Sequence, residues 1–403
     1  MKLKSASLLG VFLVSGQYGL AQTLSDAAFI ERAQNFALVS LDAAPLDPSN
    51  RFDGDPLAIA FGEQLFFDKG LSKNGDVSCA SCHVTENAFV PNESIRADEA
   101  RKFRTVMPIE GVAHQNFLFW DGRADSAWMQ AIGPLENDFE HDLTRAEIAS
   151  YVNVKYPDEL VALAPDLMST PLSALEPASP AGNREERAAW RALPPESQEW
   201  INQIFALVGK SIAAYETSLP VSPSRWDKVI EDALDDISAL SELSQAERNG
   251  FELFTGKARC ATCHDGPLFT DADFHNTGLP QSTAPIDLGR QSALLELRNN
   301  PFNCLGRYSD AQPEDCGELT YMSLSMERAM GAFRTPTLRG VSKRAFLGHA
   351  GQISSIEEMI RHYNAAPTGP HGALVGLPSL SELVPLGLSE AEISALTEFL
   401  SSL

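Results

Sequence analysis

The pentapeptide Cys79-Ala80-Ser81-Cys82-His83 recurs as Cys260-Ala261-Thr262-Cys263-His264, and no other feature limits this chain so tightly. Two cysteines at this spacing can each add to one vinyl group of a single haem, forming thioethers. The adjacent histidine then reaches the iron from the same side, so the porphyrin dictates the spacing. One copy could be chance, a redox dithiol or half a zinc site. Two copies, each after a short amphipathic helix, point to two covalently bound haem c groups. Cys79, Cys82, Cys260 and Cys263 are then the attachment residues, and His83 and His264 the proximal ligands. A zinc site would need four converging ligands, which the wide separation of the motifs does not suggest.

The N-terminus reads as an export leader. Lys2 and Lys4 form a basic start, Leu8 to Val14 a short apolar core, and Gly19-Leu20-Ala21 a cleavage site, so residues 1–21 are expected to be removed. The apolar stretch is too short to span a bilayer, and no later segment reaches that length. A mature protein in the periplasm follows. The formal net charge of -23 repels phosphate backbones and argues against nucleic acid as a partner. A basic redox protein or a small neutral oxidant meets no such barrier. Cys304 and Cys316 remain after the haem motifs are assigned. In an oxidising compartment they can form a disulfide, the alternative being two unpaired thiols.

Each motif follows a short helix, one around Phe61 to Phe67 and one opened by the capping pair Ser244 and Glu247. That is the layout of a c-type cytochrome domain. The expected division is an N-terminal haem domain at 22–219 and a C-terminal haem domain at 220–403. A Pro/Ala-rich insertion at 164–199 contains one short helix from Arg184 to Leu193. Residues 198–217 carry Ile201, Ile204, Leu207, Val208 and Ile212 on one helical face, and Pro220 and Pro223 break it. A last helix begins near Ser389 and runs through Ile393, Leu396, Phe399 and Leu400. Strand alternation is scarce, so the fold class is mostly α.

Function turns on the sides of the irons opposite His83 and His264. An electron carrier closes both with a strong ligand; an enzyme leaves one open. Spacing alone does not single out the distal groups. Met107, Met129, His114, Met322, Met326, Met330, His349, Met359, His362 and Tyr363 all remain candidates.

Several segments narrow this. Phe66-Phe67-Asp68-Lys69-Gly70-Leu71-Ser72, Phe119-Trp120-Asp121-Gly122-Arg123-Ala124, Phe274-His275-Asn276-Thr277-Gly278 and Phe333-Arg334-Thr335-Pro336-Thr337-Leu338-Arg339 resemble the bacterial dihaem cytochrome c peroxidase and MauG superfamily, in its order. The resemblance runs from about residue 55 to residue 401. It implies two cytochrome c-like domains packed across a shared interface, with hydrogen peroxide as oxidant. Trp120 matches the tryptophan between the haems. Gln130, Pro134 and Glu140 match the distal pocket of the N-terminal haem, where Glu140 would move a proton between the peroxide oxygens. His349-Ala350-Gly351 resembles the family's His-Asp-Gly segment, and the distal ligand of the C-terminal haem lies fourteen residues further on in many members. Tyr363 stands there, as a tyrosine does in MauG. Met359, one helical turn earlier, is the rival.

Two departures point to the MauG-like, MbnH-like side. Thr105 occupies the place where many peroxidases have an asparagine associated with an inter-domain calcium, which weighs against calcium. The loop from Pro91 to Lys102 holds no histidine, whereas many peroxidases carry a removable distal histidine there. The resemblance thus implies a peroxidase whose N-terminal haem is open at rest. Its high-valent dihaem state would oxidise tryptophan or another aromatic residue of a partner protein. The alternatives are peroxide reduction with electrons from a small cytochrome or cupredoxin, and a non-enzymatic dihaem carrier.

Overall fold

The computed structural model describes residues 24–87, 89–91, 104–169, 175–281 and 285–403. The leader expected at 1–21, most of the loop from Pro91 to Lys102, and residues 170–174 of the 164–199 insertion lie outside the described residues.

Two helix crossings organise the chain. In the first, the helix Pro56–Phe67 packs across the helix Pro195–Ser218. Asp55 caps the shorter helix by accepting from the amides of Leu57 and Ala58, and Pro56 takes a position where no amide hydrogen is needed. Gly62 sits at the contact, where a Cβ would overlap the Ser211 carbonyl and press on Tyr215. In the second, Gln245–Phe254 packs across Glu390–Ser401. Gly250 sits at that contact, where a Cβ would overlap the Ala395 carbonyl and crowd Phe399. The faint sequence repeat before each haem motif is therefore a repeated glycine-mediated helix crossing. Ser244 and Glu247 form the expected capping box, and Ser389 and Glu392 form another on the last helix.

Behind the first crossing lie Phe61, Leu65 and Phe66; behind the second lie Trp226, Phe251, Phe254 and Phe399, all essentially inaccessible. Burial of one such side chain contributes about 1.5–3 kcal/mol. The helix read at 198–217 spans Pro195–Ser218 and stops before Pro220, and the short helix in the insertion spans Arg184–Ala192. The one sheet among the described residues pairs Phe274–His275 with Phe333–Arg334 antiparallel.

Chain position and core membership part at two places. Phe29, Phe36 and Ala37, N-terminal in sequence, belong to the second core, where Phe29 meets Phe251 edge-on at 5.3 Å. Leu297, Phe302 and Leu319, C-terminal in sequence, belong to the first, where Phe302 lies 6.2 Å from Trp128. A division at Leu219 separates the haem motifs, but each core receives a strap from the other half. Cys304 and Cys316 are disulfide-bonded within the second strap, their Cα atoms 5.7 Å apart. On the chain-entropy model that closure stabilises by about 3 kcal/mol. The strap is docked by Lys210, which donates to the Tyr308 carbonyl at 2.7 Å and pairs with Asp310. No helix of the described residues is long and apolar enough to cross a membrane.

Candidate functional site

The two Cys-x-x-Cys-His motifs each fold into a single turn with matching hydrogen bonds. Cys79–Cys82 forms one helical turn, and the His83 amide donates to the Cys79 carbonyl at 2.9 Å. Cys260–Thr262 forms a 3-10 turn, and the His264 amide donates to the Cys260 carbonyl at 2.9 Å. His83 Nδ1 lies 3.1 Å from the Phe89 carbonyl and His264 Nδ1 lies 3.0 Å from the Phe269 carbonyl. A carbonyl can only accept, so each Nδ1 carries the proton and each Nε2 is left as a metal-binding lone pair. Both accepting residues hold a left-handed backbone, Phe89 at φ 57° and Phe269 at φ 51°, which bulky residues avoid. Burial pulls each imidazole down to about 4, so both stay neutral and fit to ligate.

The thiols argue against one rival reading of the motifs. Burial pushes Cys79 and Cys82 up, and Cys260 up to about 12. A redox dithiol needs a lowered thiol value, so that reading is disfavoured; against zinc stands the wide separation of the two motifs. Cys263, Asp271 and His275 do converge, but His275 is already held between Asp271 at 3.0 Å and Glu382 at 2.8 Å.

A cavity of about 1200 Å³ opens beside the second motif and is lined by Cys260, Cys263, His264, Met359 and Tyr363. Met359 and Tyr363 lie one turn apart on the helix Ile356–Ala365, so both reach the same wall. His362 anchors that helix by its Nε2, 2.8 Å from the Thr277 carbonyl. Tyr363 has no hydrogen-bond partner among the described residues, and burial pushes its phenol up. Arg334 and Arg344 also line the cavity, each with a buried, unpaired Nε, and burial pulls both down to about 10. Two desolvated guanidinium groups without carboxylate partners call for anions. The two propionates of a haem supply them, so the residues fit the group.

The first motif has different surroundings. Gln130 and Pro134 lie one turn apart on the helix Ala127–Leu135, capped by Ser126. The loop that follows brings Glu140 close enough for its charge to act on both Cys79 and Cys82. Desolvation by the surrounding protein raises the Glu140 carboxyl although the residue reaches solvent, against Arg123 and a 2.6 Å hydrogen bond that Asn137 Nδ2 donates to its Oε1. His141, the next residue, ties the loop down with Nδ1 2.6 Å from the Leu71 carbonyl. Glu216 is buried near Cys79 and is pushed up to about 8 by that burial.

The segment Phe119-Trp120 joins the two sites. The Phe119 ring lies against Gly133 of the distal helix, with Arg123 stacked on it at 3.5 Å. Trp120 lies on the wall of the second cavity. Its Nε1 donates to the Thr105 carbonyl at 2.8 Å, and its own carbonyl accepts from the Arg334 amide at 2.8 Å. Arg290 grips the same turn through the carbonyls of Asp121 and Gly122. The Thr105 amide donates to the His349 carbonyl at 2.8 Å and its hydroxyl to the Gly348 carbonyl at 2.9 Å. These bonds hold this crossing by protein atoms alone.

Sequence reasoning sets Trp120 between the haems and Glu140 over the first motif; the structure puts Trp120 on the wall of the second cavity and Glu140 near Cys79 and Cys82. Sequence reasoning misses His141, Glu216, Arg334 and Arg344. Glu216 leaves a readable trace, the lone carboxylate after the mostly apolar stretch from Ile204 to Tyr215, which only Lys210 and Ser211 interrupt. The arginines leave none, because nothing in their spacing shows that they lack a carboxylate partner.

The profile of the family described as di-haem cytochrome c peroxidase matches residues 56–235. The methylamine utilization protein MauG of Methylorubrum extorquens is 30% identical over 86% of this chain and 78% of its own. The cytochrome-c peroxidase IdrP2 of Pseudomonas sp. (strain SCT) is 29% identical over 96% of this chain and 90% of its own. Among solved structures, the diheme peroxidase BthA of Burkholderia thailandensis aligns with a TM-score of 0.59 at 19% identity, covering 94% of this chain and 89% of its own. That last likeness speaks to the fold alone.

Proposed function

Because the chain belongs to the di-haem cytochrome c peroxidase and MauG family, a family of haem oxidoreductases, we propose that it reacts with hydrogen peroxide at the haem on His83. It then directs the oxidising power, through Trp120 and the haem on His264, to an aromatic side chain of a partner protein. Tryptophan is the first choice. The observation that carries this reading is the inequality of two otherwise matching motifs. Tyr363 and Met359 line the second site, whereas Glu140 stands near the first, on the loop after the helix that carries Gln130 and Pro134.

When bound, the first haem supplies the iron for peroxide and the second a further redox centre. The residues do the rest. Glu140 Oε1 is occupied by Asn137, so Oε2 is the atom that takes a proton from one peroxide oxygen and returns it to the other. Its raised carboxyl brings proton exchange nearer to neutral pH. The Gln130 amide would orient the peroxide by hydrogen bonding, and Pro134 presents no donor. Trp120 keeps its indole proton, because the Thr105 carbonyl is no base. Tyr363 closes the second site, with Met359 as its rival. Export with cleavage after Ala21 puts the enzyme in the periplasm.

A second reading, reduction of peroxide with electrons from a small cytochrome or cupredoxin, is favoured by the likeness to IdrP2 over nearly the whole chain. The test adds one equivalent of peroxide to the diferric protein and follows visible and near-infrared absorption. Reaction without reductant, slow decay and oxidation of an added partner tryptophan support the proposal. Reaction only after one haem is reduced favours the second reading. No reaction in either state leaves an electron carrier.

A further inference from the structure

Residues from both halves of the chain close a ring around Trp120. The Trp120 and His349 rings meet edge to face, with centroids 6.4 Å apart. His349 stacks on Phe333 at 3.6 Å with the planes only 7° apart. The Arg104 guanidinium lies 5.5 Å from the Phe333 centroid. Arg104 then returns to the start, pairing at 2.5 Å with Asp121, the residue after Trp120. Its Nε and Nη2 also hold both oxygens of Asp287, each at 2.9 Å. Asp287 is itself fixed by the amide of Gly289 at 2.9 Å.

Three features set Arg104 apart from an ordinary surface ion pair. Its side chain is only 18% exposed and Asp121 only 7%, so solvent screens the pair weakly. Its planar fork is used fully, in-plane on Asp287 and with the ring of Phe333 nearby, which a lysine could not reproduce. It also balances the charge beside Trp120. Asp121 and Asp287 bring negative charge, Arg104 and Arg123 pair with them, and Arg290 adds a further cation on the Asp121 and Gly122 carbonyls. An oxidised Trp120 that keeps its proton is a cation, so its energy depends directly on that balance.

We propose that Arg104 is the positioning residue of the inter-haem bridge, holding Trp120, His349 and Phe333 as one unit across the two halves of the chain. This rests on the role given to Trp120 above. Arg104 touches neither peroxide nor partner; it acts through Asp121 and Phe333. Losing its fork leaves Asp287 without its arginine, leaves Asp121 to Arg123 alone, and frees the Phe333–His349 stack, so the contact with Trp120 loosens.

The test uses the protein with both haems, one equivalent of peroxide, and the near-infrared absorption shared by the two haems, scored per peroxide consumed. Arg104→Gln is expected to lower that absorption about tenfold, because a small displacement of the contact is enough. Arg104→Lys, which keeps the charge but not the fork, falls between. Asp287→Asn, which weakens the fork and leaves Asp121 paired, lowers it as well. Full absorption in Arg104→Gln overturns the proposal. If that variant fails to take up haem, full absorption in both Arg104→Lys and Asp287→Asn overturns it instead. Trp120→Phe separates the two levels. If it too keeps the absorption, the role of Trp120 fails; if it alone loses it, only the role of Arg104 fails.

Discussion

Trp120 and His349 meet edge to face at 6.4 Å, although one lies in the N-terminal half of the chain and the other in the C-terminal half. Backbone bonds lock the pair: Trp120 Nε1 donates to the Thr105 carbonyl, and the Thr105 amide donates to the His349 carbonyl. Replacing Trp120 by Phe keeps a buried ring but removes the donor and the easily oxidised indole. The expected result is an N-terminal haem that still consumes peroxide and a C-terminal haem that no longer responds with it. Stopped-flow spectra of the two haems check this.

Glu140 gives a kinetic prediction. Glu140→Gln removes the proton carrier and is expected to slow the peroxide step about 10²–10⁴-fold. Desolvation by the surrounding protein raises the Glu140 carboxyl, and Arg123 opposes that rise. As a base it must be ionised, so activity falls as pH drops through its value. Arg123→Gln removes the opposing cation, and the acid limb of the rate profile moves to higher pH. An acid limb that stays in place separates Arg123 from Glu140.

Glu216 gives a stability prediction. Burial holds its carboxyl at about 8, above the unfolded value, so the folded protein keeps a proton that the unfolded chain releases. Stability tied to this proton is full below the unfolded value, declines as pH rises towards 8, and stays low beyond. Glu216→Gln removes the dependence. The variant is expected to match the parent at pH 4 and to exceed it by a few kcal/mol near pH 8. Thermal unfolding at the two pH values decides.

Gly62→Ala and Gly250→Ala test the repeated crossing. A methyl at either position overlaps a carbonyl of the partner helix. Each is expected to cost about 1–3 kcal/mol or more, and to lower haem uptake mainly in its own domain. Equal loss at both haems in each variant would contradict two separate crossings.

The parts of the molecule set by local chemistry were open to reading from sequence. The haem motifs, the Ser244–Glu247 cap and the last helix depend on residues within a few positions of one another. The sequence left Cys304 and Cys316 as either a disulfide or two unpaired thiols, and only the fold, which brings their Cα atoms to 5.7 Å, decides for the bond. The exchanged straps were not readable, since Phe29 and Phe302 look like core residues of any core. Arg104 was hidden for a similar reason. Its partners Asp121, Asp287 and Phe333 are brought together by tertiary contacts between separate segments, and sequence spacing carries no trace of them. Met359 and Tyr363 share one wall of the second cavity, so the fold keeps both as ligands in play.

Tyr363→Met therefore asks which side chain closes the second site. If Tyr363 is the ligand, the variant exchanges oxygen for sulfur at the iron and loses the long-lived oxidised state. An unchanged resting spectrum would assign the position to Met359 or another group.

The central claim is that two matching motifs build unequal haem sites. Electron paramagnetic resonance of the resting diferric protein tests it most directly. The account predicts one high-spin haem, open beside Glu140, and one low-spin haem, closed by a ligand from the helix Ile356–Ala365. Two low-spin haems would contradict it.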